Sequence, residues 1–342
     1  MDLLPTTEQE EIAAAARSFL AKELPESRIR QLADEEMNVD APVWSAVAQL
    51  GWFALGLPED LGGVGYGLPE EVMLFREIGR HLAPGPFAST ALAARVAARA
   101  GDAALASEIV EGMPVGLALA GDGTEPVVGP RVSGRLTIAD AMGAGLVLVA
   151  VPGGCALVET TALSGLTALP CIDETTRLAD AEAYEVAAVA YVPTEVDDVF
   201  RRGVLFGAAM LTGIAEAARD SAVEHAKVRL QFGQPIGSYQ AVKHPCADMA
   251  VRAEAAASQL FFAAVSAETG RPDAAFQASA SKIVASDAAR RNAAANVQIH
   301  GGMGFSFEQH AHLYVKRAQV LAHAFGTPSF HLAAALEGVP AA

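Results

Sequence analysis

Cysteine is scarce in this 342-residue chain: Cys155, Cys171 and Cys246 are the only three, and none stands in CxxC spacing with another. That argues against a disulfide framework or a thiolate metal site and leaves buried or free thiols, suited to a reducing cytosol. Cations are short as well. Twenty-four Lys and Arg face 40 Asp and Glu, a formal net charge of −16, which argues against a broad nucleic-acid surface and favours solubility. A bound anion therefore needs a local site. Long apolar runs are also missing: GVLFGAAMLTGIA, residues 203–215, is too short to cross a bilayer and predicts a helix buried in protein. The first residues, MDLLPTTEQEE, carry acids instead of a basic stretch before an apolar core, so no secretory leader is expected and the location reads as cytoplasmic.

What the chain does have is apolar surface, 52% hydrophobic residues over a length that accommodates two or three domains. Thr7 and Glu10 form a candidate capping box before AAAARSFLAKEL. Asp40 with Pro42 opens a helix into VWSAVAQLGW, Pro69 opens VMLFREIGRHL, and Gly112 closes SEIVEG. Residues 1–114 thus read as a helical domain. From Val115 the pattern shifts to short apolar or alternating runs, VGLALA, GLVLVAV, CALVET and AAVAYV, which predict a small β domain over 115–198. Long helices return over 199–342, with 203–228, about 239–268 and about 273–297 as the main segments. His310 and His312, two apart, do not share a helix face, and no carboxylate spacing near them completes a metal site.

Several segments carry a resemblance that the composition alone does not. LGWFALGLPEDLGGVGYGLPE (50–70), FREIGRHLAPGP (75–86), DETTRLAD (173–180), RLQFGQPIGSYQ (229–240) and QIHGGMGFSFE (298–308) follow one another in order. Together they resemble the acyl-CoA dehydrogenase family over essentially the whole chain. The resemblance implies a mainly α fold: an N-terminal helical domain, a middle β domain, and a C-terminal four-helix bundle. It also implies FAD, held partly by a neighbouring subunit. Arg229 would pair with the pyrophosphate, Phe232 would pack at the dinucleotide, and Gln240 would lie near the adenine. Gln231, Gln298, Gly301 and Gly302 complete that cofactor-facing set. The chemistry is independently reasonable. A guanidinium makes charge-assisted bonds to phosphate, a glutamine both donates and accepts, and glycines such as Gly233 allow sharp turns and close backbone approach.

The departures from the family are as specific as the likeness. Family members remove an α-proton with a carboxylate while a hydride passes to the flavin. One position for that base corresponds here to Phe325, in AFGT, and the other to Gly203; neither residue can take a proton. Arg201 and Arg202 beside Gly203 supply no carboxylate, and Glu308 matches a glutamate that is usually structural. In the middle region TEPVVGPRVSGRLT (124–137) keeps the family's opening, but the Gly-Ser-Asp turn and the Trp-containing strand are absent; the only tryptophans are Trp44 and Trp52. The expectation is a non-catalytic subunit in an α2β2 assembly. A catalytic acyl-CoA dehydrogenase partner would supply the glutamate, and an electron-transfer flavoprotein or similar carrier would accept the electrons. Two rivals remain open at this point: a self-sufficient homo-oligomeric flavoenzyme using another base or none, and a scaffold without FAD.

Overall fold

The first helix, α1 (Thr7–Glu23), shows how local chemistry sets an element boundary. Its N-cap is Thr6: Gln9 N donates to Thr6 Oγ1 (3.3 Å) and Thr6 N donates to Gln9 Oε1 (2.9 Å). The capping box is therefore one residue earlier than the Thr7–Glu10 pair expected from sequence. Of two adjacent threonines, the first leaves Glu10 free in the opening turn, where its charge favours the helix dipole. The computed structural model describes residues 4–35, 39–119 and 126–338, so Thr124 and Glu125 of the TEP segment lie outside the described residues.

Five more helices precede the strands: α2 (Glu26–Asp34), α3 (Ala41–Gln49), α4 (Leu68–Arg80), α5 (Phe87–Arg99) and α6 (Ala103–Val110). Asp40 caps α3 by accepting from Val43 N (3.2 Å), and Pro69 stands in the first turn of α4, as their sequences indicate. The strands are β1 (Val115–Leu119), β2 (Val127–Val128), β3 (Arg131–Ala139), β4 (Leu146–Val151), β5 (Gly154–Glu159), β6 (Ser164–Leu169), β7 (Leu178–Ala187) and β8 (Ala190–Pro193). They form one sheet in the order β6-β7-β3-β1-β4-β5-β8, with β2 added on β3. All pairings are antiparallel except β1 with β4. The long strands β3 and β7 are less apolar than the runs that signal β1, β4 and β5. Their alternation of buried and exposed residues shows one face covered and one facing water.

The closing helices are α7 (Val199–Val228), α8 (Gln240–Glu268), α9 (Ala274–His300), α10 (Ala311–His323) and α11 (Pro328–Glu337). Helices α7 to α10 pack as a four-helix bundle. From Gly203 to Ala218 every residue of α7 is buried, the expected fate of a helix that is apolar all round. The facing sides of α8 and α9 are lined by alanines such as Ala253, Ala256, Ala285 and Ala289.

The turn between β6 and β7 carries DETTR and ties the sheet to the helices. Asp173, 3% exposed, pairs with Arg317 of α10 and accepts from Thr175 Oγ1 (2.9 Å) and Thr176 Oγ1 (2.8 Å). Burial alone would raise its proton affinity, but the Arg317 charge and these hydrogen bonds hold the carboxyl below the usual range. Arg317 also donates to Ala83 O (3.1 Å), and Arg177 donates to Ala33 O (3.1 Å) at the end of α2. One buried ion pair and a set of carbonyl bonds thus fix the sheet against both helical layers.

Candidate functional site

Helix α7 ends where the chemistry of its sequence changes. Arg229 is its C-cap, with Arg229 N donating to His225 O (2.9 Å). Two short strands follow, β9 (Leu230–Gln231) and β10 (Gln234–Pro235), paired antiparallel. Phe232 (φ +51°) and Gly233 (φ +81°) connect them, so both central residues are left-handed, as in a tight type I′ hairpin turn. Glycine accepts that conformation freely; phenylalanine adopts it at a cost of roughly 1–2 kcal/mol. The turn holds the Phe232 ring out from the chain, 92% exposed, with only an edge contact to Tyr239 at 6.4 Å between centroids. Gln231 is exposed on the same hairpin, and Gln240 is exposed at the start of α8.

The second cofactor-like segment comes to the same end of the bundle. Gln298 is exposed in the last turn of α9, Gly301 is its C-cap (φ +62°), and a β-carbon at Gly301 or Gly302 would meet nothing within 4 Å. The two segments are joined by stacked imidazoles: His225, one turn before Arg229, lies on His300 with ring centroids 4.1 Å apart and planes 25° apart. Among the described residues Arg229 has neither an ion pair nor a side-chain hydrogen bond. Most other arginines of this acidic chain are paired, including Arg17, Arg28, Arg76, Arg80, Arg95 and Arg202. An exposed, unpaired guanidinium beside two histidines, an exposed aromatic and open glycine backbone fit one half of a site for a dinucleotide diphosphate. They present no enclosing wall of their own.

The two positions at which the family resemblance places a base meet in space. A β-carbon on Gly203 would lie 2.5 Å from Phe325 Cδ1 and Cε1, so the ring occupies the room that glycine leaves. Phe325 is 3% exposed and left-handed (φ +56°). Its turn is held from below. The wholly buried Lys282 donates to Leu321 O (2.7 Å), which also accepts from Ala324 N (3.2 Å), and to Ala324 O (2.8 Å), carbonyls of the last turn of α10 and its C-cap. His331 Nε2 lies 2.9 Å from Phe325 O; since a carbonyl only accepts, that nitrogen carries the hydrogen, and Nδ1 accepts from Ser279 Oγ at 3.3 Å. Burial pushes the Lys282 ammonium down to about 7, and burial together with the Lys282 charge pushes His331 down to about 4. Phe325 also borders a cleft of about 70 Å³ between α5, α10 and the sheet, lined by Ile78, Leu117, Met210 and Leu321 among others.

The remaining sequence candidates have structural occupations. Arg201 pairs with Asp198 (2.5 Å), and Arg202 forms a buried pair with Glu71. Glu308 is exposed; His310 pairs with Glu26 (2.6 Å) and accepts from Arg30 Nε (3.2 Å), while His312 lies edge-on to Phe307. The three cysteines are free thiols, and among the described residues no cluster could hold a metal. No described helix is long and apolar enough to cross a membrane. Sequence reasoning missed His225, Lys282 and His331. A signal existed for the first, four residues before Arg229 and so on the same helix face. Gly203 and Gly207, one turn apart in an apolar helix, signal a close neighbour without naming it.

Profiles of the acyl-CoA dehydrogenase N-terminal and C-terminal domains match residues 6–116 and 200–339. The chain is 32% identical over 331 residues to acyl-CoA dehydrogenase IpdE2 of Mycobacterium tuberculosis, covering 95% of each. It belongs to the acyl-CoA dehydrogenase family. Membership makes it part of a family of oxidoreductases and accounts for the helical, β, helical order. Among solved structures, this acyl-CoA dehydrogenase chain is similar to the ChsE4-ChsE5 complex of Mycobacterium tuberculosis, with a TM-score of 0.88, 25% identity and 100% coverage of both chains. It is also similar to a variant of the Tcur3481-Tcur3483 steroid ACAD, with a TM-score of 0.87, 27% identity and 97% coverage of both.

Proposed function

We propose that this chain is the non-catalytic subunit of a heteromeric acyl-CoA dehydrogenase and completes the FAD site of a catalytic partner. The observation that carries the reading is the packing of Phe325 on Gly203: the two places for a base are filled by an apolar ring and by the glycine that admits it. The neighbouring cleft of about 70 Å³ is below the roughly 300–1,000 Å³ typical of a ligand pocket. Meanwhile Arg229, Phe232, Gln298 and the glycine pair are displayed outward, on a surface suited to a neighbour's cofactor.

When bound, FAD supplies the acceptor for the hydride lost from the acyl-CoA β-carbon. This chain's part is binding and orientation. Arg229 would hold the diphosphate through charge-assisted bonds, Phe232 and Gln231 would hold the dinucleotide, Gln298, Gly301 and Gly302 would meet it with side-chain amide and backbone, and Gln240 would serve the adenine end. Removal of the α-proton falls to the catalytic partner, in an α2β2 arrangement. The similarity to a steroid ACAD supports a bulky acyl-CoA, such as a steroid side-chain thioester, as the substrate of the complex. An electron-transfer flavoprotein or a similar carrier would take up the electrons.

The test is FAD stoichiometry of the chain purified alone and then with its partner. The expected result is little FAD and no acyl-CoA oxidation alone, with both appearing in the complex. One FAD per isolated chain, reduced on addition of an acyl-CoA, would favour a self-sufficient enzyme instead.

A further inference from the structure

We infer that the stacked pair His225–His300 is an additional part of the diphosphate site, taking up one proton as the FAD diphosphate binds so that an imidazolium joins Arg229 as its counter-charge. The inference rests on the reading above that Arg229 faces a partner's FAD. Its own observations are separate. His300 Nδ1 lies 2.9 Å from Asn296 O, so Nδ1 carries the hydrogen and the lone pair of the neutral ring is on Nε2. That nitrogen has no partner among the described residues, and neither ring nitrogen of His225 has one.

The surroundings of the pair are cationic. The groups acting on His225 are His300 of α9 and Arg229 at the end of α7; with partial burial first among the causes, they hold its proton affinity below that of an ordinary histidine. The hairpin strand β10 and the turn Ile236–Ser238, which also pack on α7, contain no titratable residue. Glu224, adjacent in sequence, is paired with Lys227 at 2.6 Å. Three potential cations thus converge, and among the described residues no carboxylate is one of the groups acting on His225, in a chain with 40 acidic residues against 24 Lys and Arg. Two imidazolium rings 4.1 Å apart beside a guanidinium would repel one another. A dianionic diphosphate reverses the balance: one proton from solvent adds to an imidazole lone pair, and the new N–H donates to a phosphate oxygen. No covalent bond between protein and ligand forms or breaks.

Linkage fixes the sign. A ligand that prefers the protonated pair binds most tightly at low pH and weakens as pH rises through the range between the free and bound proton affinities, by at most about tenfold per pH unit. In the complex with the catalytic partner, FAD affinity is expected to fall about tenfold between about pH 6 and about pH 8. Calorimetry in buffers of different ionisation enthalpy should show proton uptake on FAD binding. In His225→Phe, which keeps an aromatic stack, and in His300→Gln, both the pH slope and the uptake should shrink. Imidazole NMR resonances of the unmodified complex give a readout independent of any variant: FAD should raise the titration midpoint of one of the two histidines. Unchanged slope and proton uptake in both variants, or no shift of either midpoint, would overturn the inference. Arg229→Ala separates the two readings. If it weakens FAD binding while the histidine variants behave as wild type, only this inference fails; if it too leaves FAD binding intact, the interface reading itself fails.

Discussion

The ring of Phe325 rests on Gly203 so closely that even a methyl group at position 203 would stand 2.5 Å from two ring carbons. The contact joins a residue on α7 to one just after α10, the two positions at which the family resemblance puts a base. Filling one place requires emptying the other.

Gly203→Ala should therefore destabilise the chain by about 1–3 kcal/mol, the usual cost of overpacking a core. Phe325→Ala should cost about 3–5 kcal/mol by opening a cavity. In the double variant the alanine at 203 has room, so the combined loss should be smaller than the sum by about 0.5–3 kcal/mol. Denaturant unfolding of the four proteins measures this coupling, and simple additivity would mean that the two residues do not compete for one space.

Restoring a carboxylate should not restore catalysis. Phe325→Glu and Gly203→Glu each place an acid in a closed, packed space above Lys282, where a substrate proton has to come within about 2.6–3.2 Å for the acid to act as a base. Acyl-CoA-dependent flavin reduction, followed with and without the partner, is the assay. Turnover by Phe325→Glu alone would reveal an intact pocket and an enzyme that lost only its base.

Arg229→Ala should weaken FAD binding to the complex by about 1.5–3 kcal/mol, roughly 10- to 150-fold, through loss of a charge-assisted phosphate contact. Its unpaired, exposed side chain gives the fold little to lose, so unfolding of the isolated chain should be almost unaffected. FAD titration and thermal melts on the same samples distinguish the two effects.

The support beneath Phe325 gives a pH signature. Lys282, lowered from 10.5 to about 7, binds fewer protons folded than unfolded between those values, so its contribution makes stability rise as pH increases from about 7 toward about 10.5. His331, lowered from 6.5 to about 4, likewise makes stability rise from about pH 4 to about 6.5. The loss caused by Lys282→Met should accordingly be larger at about pH 9 than at about pH 6, and His331→Gln should flatten the acid side. Denaturant melts across pH test both; an equal penalty for Lys282→Met at the two pH values would contradict the neutral buried amine.

Much of the architecture was legible in the residues because it depends on local pattern. Apolar periodicity marked α7, α8 and α9, and the apolar runs marked β1, β4, β5 and β8. The strands β3 and β7 were harder to see, since half of each faces water and their apolar content is diluted. The capping box was misplaced by one residue because two adjacent threonines are equivalent until the chain direction before them is known.

By itself the sequence determined the order of elements, the absence of an ionisable side chain at positions 203 and 325, and the presence of an arginine, an aromatic and paired glycines at the ends of two helices. Those are properties of residue identity and short-range spacing. Only the tertiary structure decided that Phe325 fills the space above Gly203, that Lys282 and His331 hold its turn, and that His225 stacks on His300 beside an unpaired Arg229. The physical reason is that each of these contacts joins elements far apart along the chain. Hard-sphere exclusion, buried hydrogen bonding and ring stacking act over a few ångströms, and no periodicity in one helix specifies which side chain of another will arrive there.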